Sequence, residues 1–123
     1  MVIALQVQQD VHRKVRIMGM AGVLDGGRLA YLIAEEMNIS RSEIRTYILG
    51  SHGDTMVAAL SNTFVSGRPI REVLSGQKLE RIVSRARDRG AEIVSLLGTG
   101  SAYYSPSAAT LSMVRAVLKD TGE

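Results

Sequence analysis

From Gln77 onward the apolar residues recur with a helical period, and the candidate strands all lie before that point. Leu79, Ile82, Val83 and Ala86 fall on one helical face, and Ile93, Val94 and Leu97 continue it beyond Gly90. Glycine inside a helix costs about 1 kcal/mol relative to alanine, so a kink or break is expected at Gly90. A last helix is expected over residues 107–119, with Leu111, Val114 and Leu118 turned inward. Helices in the second half and strands in the first predict an α+β domain.

The first half supports that class. Leu29, Leu32, Ile33 and Met37 share a helical face, Glu35 and Glu36 point away from it, and Asn38 tolerates the left-handed conformation of a C-terminal cap. Residues 44–49 (IRTYIL) alternate and are rich in β-branched and aromatic types, which predicts a strand. That strand stops at Gly50-Ser51-His52-Gly53-Asp54. Residues 56–65 read as a second strand, turning at Ser66-Gly67-Arg68-Pro69. Upstream, residues 2–14 read as a helix of loose apolar spacing. Residues 16–18 read as a short strand before the glycine-spaced turn Gly19-Met20-Ala21-Gly22. With two prolines and no repeat or low-complexity stretch, the 123 residues are expected to form one domain.

Composition removes several kinds of chemistry. Apolar residues make up 46% and charged residues 22%, enough to fill a core. There is no cysteine, which excludes disulfides, thiolate catalysis and cysteine-based zinc sites. His12 and His52 are the only histidines, too few for a His-rich metal cluster, and no metal is expected. A net charge of +3, one phenylalanine and no tryptophan argue against a nucleic-acid partner. The densest basic stretch, Arg81, Arg85, Arg87 and Arg89, contains Glu80 and Asp88 and reads as a solvated helix face. Met18, Met20, Met37, Met56 and Met113 read as gap-filling core or semi-buried residues. No apolar run approaches the ~18 residues that span a bilayer, and the N-terminus lacks the basic leader and cleavage site of a signal peptide. No membrane partner is expected, and the location expected is cytoplasmic.

Two segments carry candidate chemistry. His52 stands between Gly50 and Gly53 at a strand end, where functional groups concentrate on loops held by rigid elements. Imidazole transfers protons near neutral pH; a histidine between glycines is also an ordinary turn residue. Asp25 and Arg28 stand three apart where a helix begins, on one face. Asp25 there serves equally as a helix cap, as half of an ion pair with Arg28, or as a carboxylate that orients an imidazole while Arg28 grips an anion. Gly98-Thr99-Gly100 opens like a dinucleotide fingerprint. Tyr103 replaces its third glycine, however, and a helical pattern precedes it.

Three segments in order resemble the lactate/malate dehydrogenase family. They are Ile17-Met18-Gly19-Met20-Ala21-Gly22-Val23-Leu24-Asp25, then Leu49-Gly50-Ser51-His52-Gly53-Asp54-Thr55-Met56-Val57, then Gly90-Ala91-Glu92-Ile93-Val94 continued by Leu96-Leu97-Gly98-Thr99-Gly100-Ser101-Ala102-Tyr103-Tyr104. The resemblance implies a fold with helices packed on a small, mainly antiparallel sheet, and the redox cofactor NAD. The implied reaction interconverts malate and oxaloacetate, a small dicarboxylic 2-hydroxy or 2-oxo acid pair. It implies that His52 gives and takes the proton at the substrate's C2 oxygen, that Asp25 fixes the imidazole tautomer, and that Arg28 clamps the C1 carboxylate. It further implies that Ser101 and Ala102 wall the substrate, and that Leu24 and His52 border the nicotinamide. A homo-oligomer is implied as well.

The chain departs from the family pattern at Gly26-Gly27, at Gln9-Asp10-Val11-His12 and at Ala58. The resemblance places Met1 just after the family's Asn-Pro loop, so residues 1–123 are expected to form one partial catalytic domain. Residues 1–15 would then be the helix that follows the nucleotide-binding half. That half, the mobile substrate loop and the final strands and helix are expected to lie outside these residues, leaving the chain inactive alone. The alternatives are an enzyme for lactate or another 2-hydroxy acid, and a non-catalytic remnant or association module.

Overall fold

The chain is described by a computed structural model covering residues 17–53 and 55–122. The helix expected over residues 2–14 and the start of the strand expected at 16–18 lie outside the described residues. The first element is helix α1 (Ala21–Met37). It is closed by Asn38 at φ 53° and ψ 47°, whose N–H donates to the carbonyls of Ala34 and Glu35. A short 3₁₀ turn, Arg41–Glu43, leads into strands β1 (Ile44–Arg45) and β2 (Ile48–Leu49). Strand β3 (Val57–Ala58), a second 3₁₀ turn (Leu60–Asn62), and strands β4 (Phe64–Val65) and β5 (Arg68–Pro69) follow. Helices α2 (Ile70–Val73), α3 (Gly76–Leu97) and α4 (Tyr104–Lys119) complete the order.

The strands form two small antiparallel sheets. One has the order β1-β4-β5, with Ile44 opposite Val65 and Phe64 opposite Pro69. The turn between β4 and β5 places Ser66 and Gly67 at φ 48° and 79°, the two successive positive values a tight hairpin demands. The other sheet pairs β2 with β3, Ile48 opposite Ala58. Helix α1 touches β1, β2, α3 and α4, so every layer meets on it. The core gathers Leu29, Leu32 and Ile33 of α1, Ile44, Met56, Val65 and Ile70 from the strand region, and Leu79, Ile82 and Ala86 of α3. Ion pairs border the α1–α3 contact: Lys78 with Glu36 at 2.6 Å, and Arg85 with Glu35 at 2.8 Å. Lys78 holds the Glu36 carboxyl below its ordinary range. Exposed pairs of this kind contribute little to stability.

The α+β class stands, with corrections in detail. Residues 17–20 form no strand, because no described strand runs beside them to accept their hydrogen bonds. The glycine-spaced turn is instead the start of α1. The strand expected over 44–49 is two, interrupted at Thr46-Tyr47, and each half pairs with a different partner. The strand expected over 56–65 is likewise broken, because Thr63 turns its hydroxyl back to the Ala59 carbonyl at 3.1 Å around the 3₁₀ turn. Helix α3 continues unbroken through Gly90 and ends at Gly98. Helix α4 begins at Tyr104 rather than Ser107, and Leu111, Val114 and Leu118 are exposed rather than inward. Ala109 is its buried residue, because the small side chains of α4 are the ones that approach α1. Met56 is buried as expected of a core residue, whereas Met18 is exposed.

Replacing Leu29 or Ile33, both fully buried, by alanine is expected to lower unfolding stability by about 2–5 kcal/mol. The same change at the exposed Leu118 should stay within about 0.5 kcal/mol in urea denaturation.

Candidate active site

Helix α1 begins at Ala21, so Asp25 lies in its second turn and does not cap it; the N-cap is Met20, with no side-chain bond. Asp25 is 1% exposed on the face that also carries the core. Its two carboxylate oxygens stand 3.0 and 2.8 Å from Nδ1 of His52. A carboxylate accepts, so this contact selects the imidazole tautomer with its proton on Nδ1 and leaves the Nε2 lone pair to other partners. The His52 side chain is half exposed.

The loop that delivers His52 is shaped by its glycines. Gly50 has φ +84°, and a β-carbon there would stand 2.6 Å from the Thr55 carbonyl oxygen, closer than side chains approach backbone. Gly53 has φ +99°, and its carbonyl accepts from the Met56 N–H at 3.0 Å. The Ser51 and Thr55 hydroxyls meet at 2.6 Å across the loop. The chain thus folds back directly after β2 and returns into β3, presenting His52 to α1.

Arg28, one helical turn beyond Asp25, is 6% exposed. Its Nη1 is 3.6 Å from an Asp25 oxygen, a Coulombic contact beyond hydrogen-bond reach. Nε and Nη1 are buried without a hydrogen-bond partner among the described residues. Burying a charged donor unpaired is costly, and a planar guanidinium fork can pair with an anion through two parallel hydrogen bonds. Arg28 lines a cavity of ≈ 400 Å³ between α1, α3 and α4, with Leu24, Gly27 and Tyr31 on one wall. Arg41 also borders it. Arg89 does too, its guanidinium 5.4 Å from the centre of the Tyr31 ring and held by Glu92 at 2.6 Å.

Of the residues singled out by sequence, Asp25, His52 and Arg28 come together, and Leu24 shares the cavity wall with Arg28. Ser101 and Ala102 do not line that cavity; its α4 wall is Ser105, Ala108, Ala109 and Ser112. Sequence reading missed Tyr31, Arg41 and Arg89. The basic stretch that contains Arg89 reads as a solvated face in the sequence, yet the Arg89 side chain is only 17% exposed beside the Tyr31 ring. The Gly26-Gly27 departure has a local use: β-carbons there would stand 3.3 Å from Thr46 Oγ1 and from Arg41 Nη2. Thr46 donates its hydroxyl to the Gly26 carbonyl at 2.9 Å, fastening the break between β1 and β2 to the site helix. Among the described residues, no three acidic or imidazole groups gather as metal ligands, and no helix is long and apolar enough to cross a membrane.

Gly50→Ala is expected to cost about 1–3 kcal/mol of stability, since it forces a left-handed alanine against backbone. The His52 ring resonances should shift as the loop moves from Asp25, and unchanged resonances would contradict this account of the loop.

The chain is similar to known proteins over nearly all the described residues. A family profile described as the lactate/malate dehydrogenase α/β C-terminal domain matches residues 22–123. A malate dehydrogenase from Staphylococcus saprophyticus is 50% identical over 107 residues, covering 87% of this chain and 34% of that protein. The chain therefore spans about a third of the length of the curated relatives it matches. The solved malate dehydrogenase from Salinibacter ruber superposes with a TM-score of 0.81 at 46% identity, over 86% of this chain and 34% of that one. A lactate dehydrogenase from Eimeria maxima, solved with NADH and oxamate, gives 0.83 at 33% identity, over 95% and 38%. By this match across residues 22–123, the chain belongs to the lactate/malate dehydrogenase family, through its α/β C-terminal domain.

Proposed function

We propose that this chain is the substrate domain of an NAD-dependent malate dehydrogenase, with His52, Asp25 and Arg28 as its working residues. The observation that carries the reading is the Asp25–His52 contact beside a buried arginine with two unpartnered nitrogens. The half-identical relatives named malate dehydrogenase favour malate over lactate as substrate. The structural likeness to lactate dehydrogenases makes lactate or another 2-hydroxy acid the alternative.

In this reading Arg28 binds the C1 carboxylate with its planar fork, which fixes orientation as well as affinity. His52 Nε2 takes the proton of the C2 hydroxyl during oxidation and returns it during reduction. Asp25 holds the imidazole in the tautomer that makes this possible. NAD, when bound there, would supply the hydride-transfer chemistry at C2. The residues present fit the nicotinamide end of that cofactor: Val23 offers exposed apolar surface on the turn that precedes Arg28, and the buried Leu24 backs it at the cavity wall. No described strand runs through a glycine-rich turn into a helix of the kind that holds a pyrophosphate. In this reading the domain works with a nucleotide-binding half, and residues 1–123 form one partial catalytic domain. The exposed Leu111, Val114, Val117 and Leu118 of α4 support association with another apolar surface, a second copy included. A cytoplasmic location accords with this reading.

The purified chain is expected to show no oxaloacetate-dependent NADH oxidation. Residues 22–122, exchanged for the matching part of the Staphylococcus saprophyticus relative, should give malate-dependent NAD reduction. In that chimera His52→Asn should lower kcat by about 10²–10⁴-fold. Arg28→Lys should raise KM for malate, because an ammonium cannot make the bidentate contact. Undiminished turnover by His52→Asn would overturn the reading, and a preference for lactate would replace the substrate but not the class.

A further inference from the structure

Gly90 stands inside α3, where neither a turn nor a positive φ requires glycine. The helix runs unbroken through it although glycine weakens a helix relative to alanine. Across the helix interface stands Arg28. A β-carbon at position 90 would have the Arg28 guanidinium as its three nearest neighbours, with Nη1 at 3.5 Å, Nη2 at 3.8 Å and Cζ at 4.0 Å. Gly76 of the same helix has nothing within 4 Å of its corresponding position.

The Arg28 fork therefore faces the bare backbone of α3 across a space that a methyl group would fill in ordinary contact and a larger side chain would overrun. Helical N–H and C=O groups are committed to each other, so this wall bounds the fork without supplying hydrogen-bond partners. A polar side chain at position 90 would pair with the guanidinium and occupy it; a larger apolar one would push it aside. The absence of both agrees with the burial of Nε and Nη1 without partners.

We propose that Gly90 is a positioning residue. It seats the Arg28 guanidinium against α3 while leaving its donors for a substrate carboxylate. This rests on the reading of Arg28 as the carboxylate clamp.

The test titrates L-malate into the 123-residue chain and follows the Arg28 Nε–H resonance, assigned by its loss in Arg28→Ala. Malate should shift that resonance in the unsubstituted chain. Gly90→Leu should weaken the response at least about tenfold, a loss of about 1.4 kcal/mol in binding. Gly76→Leu should leave it unchanged. Gly90→Leu that binds malate as the unsubstituted chain does overturns the proposal.

A thermal-melting cycle covers a variant that folds poorly. Gly90→Leu should lower Tm strongly alone and much less in the Arg28→Ala background, where the guanidinium is gone. An equal loss in both backgrounds, or failure to fold in both, means that position 90 packs on something else and overturns the proposal. An unsubstituted chain whose Arg28 resonance ignores malate overturns the clamp reading, and the positioning role with it, whatever the cycle shows.

Discussion

Two ionisable side chains are buried on the helix that also carries the core. Asp25 and Arg28 stand one turn apart on α1, and the next positions on that face are Leu29, Leu32 and Ile33. Removing charges from water costs several kcal/mol per ion unless each finds partners. Asp25 finds them in the His52 ring, bonded to both carboxylate oxygens. Arg28 is left 3.6 Å from the same carboxylate. The loop between β2 and β3 must therefore close onto α1, and the short strands serve largely to bring it there.

That closure explains the small residues clustered along α1. The Ile48 carbonyl would stand 3.2 Å from a β-carbon at Gly22, and Thr46 and Arg41 press equally close at Gly26 and Gly27. Each glycine weakens the helix intrinsically. Together they let the strand region lie against the turn that carries Asp25, and the Thr46 bond to the Gly26 carbonyl fixes that approach. At Gly22 local propensity is given up where two backbones come near each other, and at Gly26 and Gly27 where the side-chain ends of Thr46 and Arg41 press in. Gly50 works by a different route, through a positive φ and the Thr55 carbonyl beside it.

What could be read from sequence was whatever depends on neighbours in the chain. The periodic face of α1, its Asn38 cap, the hairpin at Ser66-Gly67 and the Leu79-Ile82-Ala86 face of α3 all follow from local pattern, whereas Val94 and Leu97, which continue that face in the sequence, are exposed. The break at Thr46-Tyr47 is not legible, because alternation continues across it while the pairing partner changes, and at Leu60–Asn62 the polar Ser61-Asn62-Thr63 is the local mark of the turn between strands of different sheets. The face of α4 was misassigned for a related reason. Periodicity finds an apolar stripe but does not say which side of the helix meets α1, and here the small residues do. At the site, local sequence left Asp25 open as cap, ion-pair partner or orienting acid. The start of α1 at Ala21 removes the cap. The rim formed by Tyr31, Arg41 and Arg89 is assembled from three separate elements, and no local pattern announces it.

The spacing on α1 also bears on the proposed chemistry. Residues three apart on a helix place their β-carbons about 5–6 Å from each other. A 2-hydroxy acid presents its carboxylate and its C2 oxygen on adjacent carbons, so both must be met within a similarly short span. In the proposed reading Arg28 meets the first directly, and Asp25 meets the second through the imidazole it orients. A helix turn is stiffer than a loop, so the distance between the two anchors is set by backbone geometry rather than by side-chain choice. Only His52 comes from the loop, and its half-exposed ring is the part that must reach a reacting proton. In that reading, burying the carboxylate while opening the imidazole divides the work: the orienting group sits in low dielectric, where its hydrogen bond is strong, and the proposed proton-exchanging group stays accessible.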